Sequence, residues 1–84
     1  MKKDWRLFRE QDKYMHGMQL IKRQYRPQDI NNDHDHCEFC MDKFGSGVND
    51  LHYGYSSEDR TIWVCEQCYQ DFKDKFEWRV KLEI

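Results

Sequence analysis

Hydrophobic and polar positions along the chain follow two different periods, and these periods predict its secondary structure. Residues 2–16 are mostly charged or polar, and their apolar positions form one predicted helical stripe: Trp5, Phe8, Tyr14 and Met15. Gly17 follows, and glycine ends many helices because it readily takes the left-handed conformation. The pattern therefore predicts an N-terminal helix that stops at Gly17.

The next segment, residues 18–25 (MQLIKRQY), has an ambiguous pattern. Its apolar residues also fit a helical period, but a helix continuing from the first would have to pass through Gly17, at a cost of about 1 kcal/mol relative to alanine. We therefore predict a short strand here. Pro27 and the polar run QDINNDHD, residues 28–35, then predict a linker loop.

Two aromatic and β-branched segments farther along predict a β-hairpin. Its arms are Leu51–Tyr55 and Thr61–Val64, and the polar residues SSEDR between them supply the turn. Residues 66–77 then predict the clearest helix of the chain. Its apolar stripe steps by four, three and four residues and consists of Cys65, Tyr69, Phe72 and Phe76.

The C-terminal segment WRVKLEI, residues 78–84, alternates strictly between apolar and charged residues. A period of two predicts a strand, here with one apolar face made of Trp78, Val80, Leu82 and Ile84. A terminal strand has to pair with something. We favour pairing with residues 18–25 in the same domain, whereas a strand left unpaired would form an adhesive edge for another molecule.

Composition narrows the class of protein. With 84 residues the chain is long enough for one domain, 1–84, but too short for a large core, so a metal or a partner is expected to add stability. Hydrophobic residues make up only 38% of the chain and aromatic residues 15%. The aromatic content excludes a disordered chain and indicates a few large side chains packed around a rigid centre.

The cysteines are interpreted according to the compartment that the chain occupies. The first 30 residues contain no apolar run long enough for a signal peptide or a membrane-spanning helix. We therefore expect a cytoplasmic protein without a membrane partner, in which thiols stay reduced. This expectation favours a metal site over two disulfides.

The four cysteines form two C-x-x-C pairs, Cys37 with Cys40 and Cys65 with Cys68, separated by twenty-four residues. Two residues between cysteines let a tight turn bring both thiolates to one side of an ion, and two such pairs complete the tetrahedron of structural zinc. The second pair lies at the predicted helix start, where free N–H groups stabilise thiolates. We predict one Zn²⁺ per chain bound by all four cysteines, although a four-thiolate site can also hold iron.

Two histidines close to the first pair offer alternatives. His34 or His36 could replace a cysteine or bind a second metal ion. Because four thiolates are already available, we favour reading them as loop residues, one of them hydrogen-bonded to a metal ligand.

The order of these elements resembles a known group of zinc folds. A zinc knuckle, a hairpin and a helix carrying the last two ligands, from Cys37 to Phe76, resemble a treble-clef zinc finger, a small α+β fold related to zinc ribbons. Many zinc knuckles have glycine after the second cysteine, where Met41 stands here. The motifs DHDHCEFC and IWVCEQCYQDFKDKFEW also resemble a family of small bacterial proteins known only as a domain of unknown function. That resemblance implies a zinc site and no particular activity.

Charge divides the chain into two parts. Residues 1–27, the predicted basic helix and short strand, carry eight Lys and Arg against three Asp and Glu. Residues 28–84, which include the predicted zinc core 37–77, carry six against thirteen. The basic part could contact the phosphates of a nucleic acid. We favour the interpretation that the two parts neutralise each other within one domain.

These observations lead to two hypotheses about function. A metal shell closed by four thiolates has no open position for substrate or water, which argues against an enzyme. Treble-clef nucleases carry an Asp-His pair after the knuckle, whereas here the DHDH run precedes it. The leading hypothesis is a structural zinc module that contacts another protein or a copy of itself. The alternative is a nucleic-acid-binding zinc finger that uses residues 1–27.

Overall fold

The computed structural model describes residues 5–26 and 34–82. The described elements, in chain order, are a 3₁₀ turn (Trp5–Leu7), α1 (Asp12–Met15), β1 (Gln19–Gln24), β2 (Asp35–His36), β3 (Lys43–Phe44), β4 (Tyr53–Ser56), β5 (Trp63–Val64), α2 (Glu66–Phe72) and β6 (Arg79–Leu82). They confirm a small α+β domain, and the treble-clef assignment stays a prediction. Most of the predicted linker, residues 27–33, lies outside the described residues.

Strand β1 is one of the two inner strands of a four-stranded sheet with the order β5-β4-β1-β6. It runs antiparallel to β4, with Ile21 opposite Ser56, and parallel to β6, with Leu20 opposite Val80. The predicted strand over residues 18–25 is therefore confirmed, as is its pairing with the C-terminal strand. Strands β2 and β3 form a separate antiparallel pair.

The predicted hairpin is also confirmed, because β4 and β5 pair antiparallel. Its turn is held by Asp59, whose Oδ1 accepts hydrogen bonds from the Ser57 hydroxyl at 2.7 Å and the Thr61 hydroxyl at 2.8 Å. The polar residues that predicted the turn thus also close it.

The predicted N-terminal helix over residues 2–16 is wrong for the part that the structure describes. The chain forms the 3₁₀ turn, passes through Glu10 with a positive φ of 53°, and then makes the four-residue helix α1. Of the predicted apolar stripe only Met15 is buried, whereas Trp5 and Phe8 are exposed. Gly17 does end the segment as predicted, with a φ of 74°.

The reason for this departure is a buried glutamine. Gln11 is fully buried, and its Nε2 donates to the carbonyl of Arg6 at 2.8 Å and to that of Glu38 at 3.0 Å. A continuous helix would direct its apolar stripe inward. Here the buried contact is polar and ties the segment to the loop of the first cysteine pair, so tertiary bonding overrides local periodicity.

The core consists mainly of aromatic residues and lies on both faces of the sheet. On one face Tyr55 stacks on Tyr69 of α2, with ring centroids 3.8 Å apart. Consecutive strand residues point to opposite faces, so the neighbouring Gly54 faces the other side, where Phe44 and Trp63 pack with centroids 5.2 Å apart. Few but large side chains therefore build the core, as the composition indicated.

Helix α2 ends at Phe72, five residues earlier than predicted. The chain continues in turns, and Glu77 has a positive φ of 54°. Phe76 is nevertheless buried, and its carbonyl accepts a hydrogen bond from the Gly17 amide at 2.7 Å. The helix stops because the chain has to reverse here, so that Trp78 and β6 come alongside β1.

The apolar face of β6 is only partly covered. Trp78 is buried and its ring nitrogen donates to the Met15 carbonyl at 2.9 Å, but Val80 and Leu82 are exposed. Pairing with β1 therefore provides hydrogen-bond partners for the backbone along one edge of β6, but it does not bury the whole apolar face of the strand.

We expect Gly54→Ala to destabilise the fold by about 1–3 kcal/mol, because a Cβ at this position would lie 2.5 Å from Phe44 Cε1 and 2.9 Å from the Val64 carbonyl oxygen. Urea denaturation with metal present measures the change. Tyr53→Thr, at an exposed position of the same strand, is the control and should stay within about 0.5 kcal/mol of the wild type. A Gly54→Ala protein as stable as the wild type would contradict this packing.

Candidate metal centre

The four cysteines converge on one point of the structure. All four Sγ atoms lie within 4.8 Å of one another, and those of Cys40 and Cys65 are 3.6 Å apart. A tetrahedron with metal–sulfur distances of about 2.3 Å places its sulfur atoms about 3.8 Å apart. The two C-x-x-C pairs therefore form a single group that can hold one metal ion. It is the only group of this kind among residues 5–26 and 34–82.

The first pair lies on a tight turn that follows β2. Cys37 donates its amide to the Asp42 carbonyl at 2.8 Å, and its own carbonyl accepts from the Met41 amide at 3.1 Å. Met41, at the position where many zinc knuckles have glycine, takes the left-handed backbone with a φ of 70°. The turn therefore closes with methionine in a conformation that glycine would reach at lower energy.

The second pair lies at the start of α2, as predicted. Cys65 is the N-cap residue, and its Sγ accepts a hydrogen bond from the Cys68 amide at 3.4 Å. The first turn of a helix has amides without backbone partners, and a sulfur that accepts from one of them gains partial positive charge nearby. The helix start thus positions the second pair, and the Cys68 amide by itself favours the ionised form of Cys65.

Cys37 joins the two halves of the site. Its Sγ accepts from the Phe39 amide at 3.5 Å and from the Cys65 amide at 3.4 Å. The second of these bonds crosses from the helix start to the knuckle. Amide bonds to sulfur hold a metal ligand in position and offset its negative charge.

The thiols influence each other's ionisation strongly. Hydrogen bonds from the Cys65 and Cys68 thiols lower the pKa of Cys37, whereas burial raises the pKa of Cys40 to about 12. The bond to Cys37 raises the pKa of both Cys65 and Cys68. A divalent cation binds thiolates and therefore has to displace the protons of the thiols, so its affinity falls as pH falls.

A residue that the sequence did not suggest also reaches the cluster. Arg6, sixty-two positions before Cys68, donates from Nη1 to Cys68 Sγ at 3.5 Å. No local motif links these residues, because the contact exists only after the N-terminal segment has folded onto α2. The only indication of this contact in the sequence was the excess of basic residues in the N-terminal part.

The histidines lie outside the sulfur cluster. His34 and His36 are exposed, and their rings meet edge to face with centroids 5.2 Å apart. Their role as metal ligands or as partners of a ligand stays a prediction. His52 shares a hydrogen bond with the Gly47 carbonyl at 2.8 Å, and His16 lies 2.9 Å from a carboxylate oxygen of Glu77.

Ion pairs connect the basic N-terminal part with the acidic part around the cysteines. The distances are 2.8 Å for Arg6 with Asp71, 3.5 Å for Arg9 with Glu38 and 3.8 Å for Lys22 with Glu66. Such pairs are what the interpretation of mutual neutralisation predicts.

Comparison of the chain with models of known protein families, with curated proteins and with solved structures found no match. The resemblance to a bacterial family of unknown function therefore stays a prediction. Within the described ranges, no helix has the length and apolar character needed to cross a membrane.

We expect Cys37→Ser to weaken metal binding by more than about 100-fold, beyond the 10–100-fold that loss of a hydrogen bond to a ligand costs. Metal content after dialysis against a chelator series measures the effect. The double variant His34→Ala/His36→Ala is the control and should retain the metal like the wild type. Loss of metal from the histidine variant would show instead that an imidazole takes part in binding.

Proposed function

We propose that this protein is a structural zinc module in which Cys37, Cys40, Cys65 and Cys68 bind one Zn²⁺. The observation that carries the proposal is the convergence of the four Sγ atoms within 4.8 Å. Soft thiolate ligands select zinc, copper(I) or iron, and four of them in a tetrahedral arrangement are typical of structural zinc. A reducing compartment such as the cytoplasm would keep the thiols available for the metal.

The arrangement supports a structural role and not a catalytic one. Catalytic zinc sites have three protein ligands and leave a position for water or substrate, whereas here four sulfurs complete the shell. Three of the four cysteines are buried, which leaves little access to the metal. The ion would cross-link the knuckle to the start of α2, so its binding energy would contribute directly to folding.

Nucleic-acid binding is the alternative, and the structure offers it little support. Among the described residues, Arg6, Arg9 and Lys22 of the N-terminal part pair with carboxylates, and Arg6 also donates a hydrogen bond to Cys68 Sγ. Contact with a phosphate backbone needs a basic surface that is free to displace counterions. We therefore rank an interaction with protein above one with nucleic acid.

The outer edge of β6 is the surface that we assign to such an interaction. Its neighbour on one side is β1, and β6 ends the sheet in the described part of the chain. The Arg79 amide donates to Met18 on the β1 side at 3.3 Å, so by strand alternation the backbone groups of Val80 and Leu82 point outward. Their side chains are exposed as well, which makes this edge a template for another strand.

The partner that fits this edge is the same edge of a second copy. An antiparallel copy centred on Leu82 would set the exposed Leu82 side chains of the two chains against each other, with the outward backbone groups of the two strands facing each other. The sequence V-K-L-E-I, residues 80–84, suits such pairing because apolar residues alternate with one charge of each sign. So short an interface, below about 1,200 Å², is expected to be weak.

We expect the purified protein to contain one zinc per chain and to unfold when the zinc is removed, since metal-binding energy is folding energy in sites of this kind. Native mass spectrometry with elemental analysis measures the metal, and circular dichroism follows a chelator titration. Iron in place of zinc would change the metal and leave the structural role intact. A metal-free, folded protein with oxidised cysteines would refute the proposal.

We expect Leu82→Lys to abolish self-association, because it places two cations opposite each other on the proposed two-fold axis. Light scattering after size-exclusion chromatography, over a concentration series up to the millimolar range, measures the mass. Val48→Lys is the control, since Val48 is 93% exposed and lies in a turn outside the strands. A wild type that stays monomeric throughout, or a Leu82→Lys protein that associates like the wild type, would exclude this edge.

A further inference from the structure

The four sulfur atoms have different polar neighbours, and one of them, Cys68 Sγ, is approached by a cationic side chain. Four thiolates around a divalent ion leave about two negative charges in excess. Backbone amides reach Cys37 and Cys65. Cys68 is approached by Arg6 instead, whose Nη1 lies 3.5 Å from the sulfur.

The Arg6 side chain is held firmly in this position. The same Nη1 donates to Asp71 Oδ2 at 2.8 Å, and the guanidinium carbon lies 4.5 Å from the centre of the Phe72 ring. Only 17% of the side chain is exposed. The stacking and the ion pair fix the position of the guanidinium, and a fixed charge that is mostly shielded from water acts on a nearby sulfur more strongly than a mobile surface charge does.

The backbone of Arg6 is fixed as well. Its carbonyl accepts from Gln11 Nε2 at 2.8 Å, and the same amide nitrogen donates to the Glu38 carbonyl in the knuckle at 3.0 Å. Gln11 is fully buried. One side chain thus joins the residue that carries the guanidinium to the loop that carries the first cysteine pair, and the approach of Arg6 to Cys68 is built into the fold.

We infer that Arg6 is a positioning residue of the metal centre, which offsets the charge of the Cys68 thiolate, strengthens metal retention and protects this sulfur from electrophiles. The inference rests on the proposed zinc site. A hydrogen bond from a cation stabilises a thiolate and lowers its nucleophilicity. Cys40 is only half-buried, whereas the other three cysteines are buried. Cys40 would then be the ligand of the zinc-loaded site that reacts fastest with electrophiles.

Metal retention in Arg6→Met tests the first part of the inference. We expect this variant to bind zinc roughly 10–100-fold more weakly than the wild type in competition with a chromogenic chelator. Arg9→Met removes an arginine of the same segment that bonds Glu38 and Met41 instead of a cysteine, and should bind like the wild type.

Alkylation of the zinc-loaded protein by iodoacetamide separates a local effect from a general loss of stability. Each attack forms a sulfur–carbon bond as iodide leaves, and peptide mapping counts the product at every cysteine. We expect Arg6→Met to raise the rate at Cys68 relative to Cys40 by about tenfold, on the scale of outer hydrogen bonds to a ligand. An equal rise at all four cysteines would indicate a purely structural role and overturn the inference.

Two further outcomes keep the inference distinct from the proposed function. A wild type that binds zinc, with an Arg6→Met protein that binds it equally well, refutes the role of Arg6 alone. A wild type that binds no metal refutes the zinc site and the inference with it.

Arg6→Lys supplies the comparison should Arg6→Met not fold with zinc present. This variant keeps the positive charge but loses the planar, stacked guanidinium, so it should raise the reactivity of Cys68 relative to Cys40 by a smaller factor.

Discussion

The convergence of four sulfur atoms is the constraint on which the rest of this structure depends. The knuckle and the start of α2 are separated by the whole β-hairpin, and they meet at the cysteines within 4.8 Å. Around this point pack the rings of Phe39 and Phe72, 4.8 Å apart. Thiols alone attract one another weakly. A cation bound by all four, as proposed, would turn the cluster into a cross-link, which would add stability to a chain with only 38% hydrophobic residues.

Sequence alone was sufficient for features that depend on local spacing. The two C-x-x-C pairs, the hairpin and strand β1 follow from periods and spacings of a few residues, and the structure confirms them. The N-terminal helix was wrong because the bonds that decide this segment are distant: Gln11 reaches Glu38, twenty-seven residues later. A polar residue in a stripe of apolar ones gives no local sign that it will be buried.

The approach of Arg6 to Cys68 is another contact between residues distant in sequence. The hydrophobic periodicity does not indicate which of several arginines will lie against the metal site. Charge counting showed that the two parts of the chain differ in sign, and the ion pairs show where the opposite charges meet. Phe8, counted in the predicted buried stripe, lies instead beneath the Arg9 guanidinium at 5.2 Å from its ring centre. The described part of the N-terminal segment thus contributes ion pairs and a cation–π contact in place of the continuous buried stripe of an amphipathic helix.

The parallel pairing of β1 with β6 has a consequence for the order of folding. These neighbouring strands are joined by a connection that contains the knuckle, the hairpin and α2, so β6 comes within reach of β1 only after that connection has become compact. Loop-closure entropy makes such a non-local pairing slow unless the intervening chain is already organised. The cysteine cluster divides that connection, because it holds the knuckle against the start of α2. A metal ion bound by the four cysteines, as proposed, would therefore lower the entropy cost of pairing β6 with β1, although neither strand supplies a ligand.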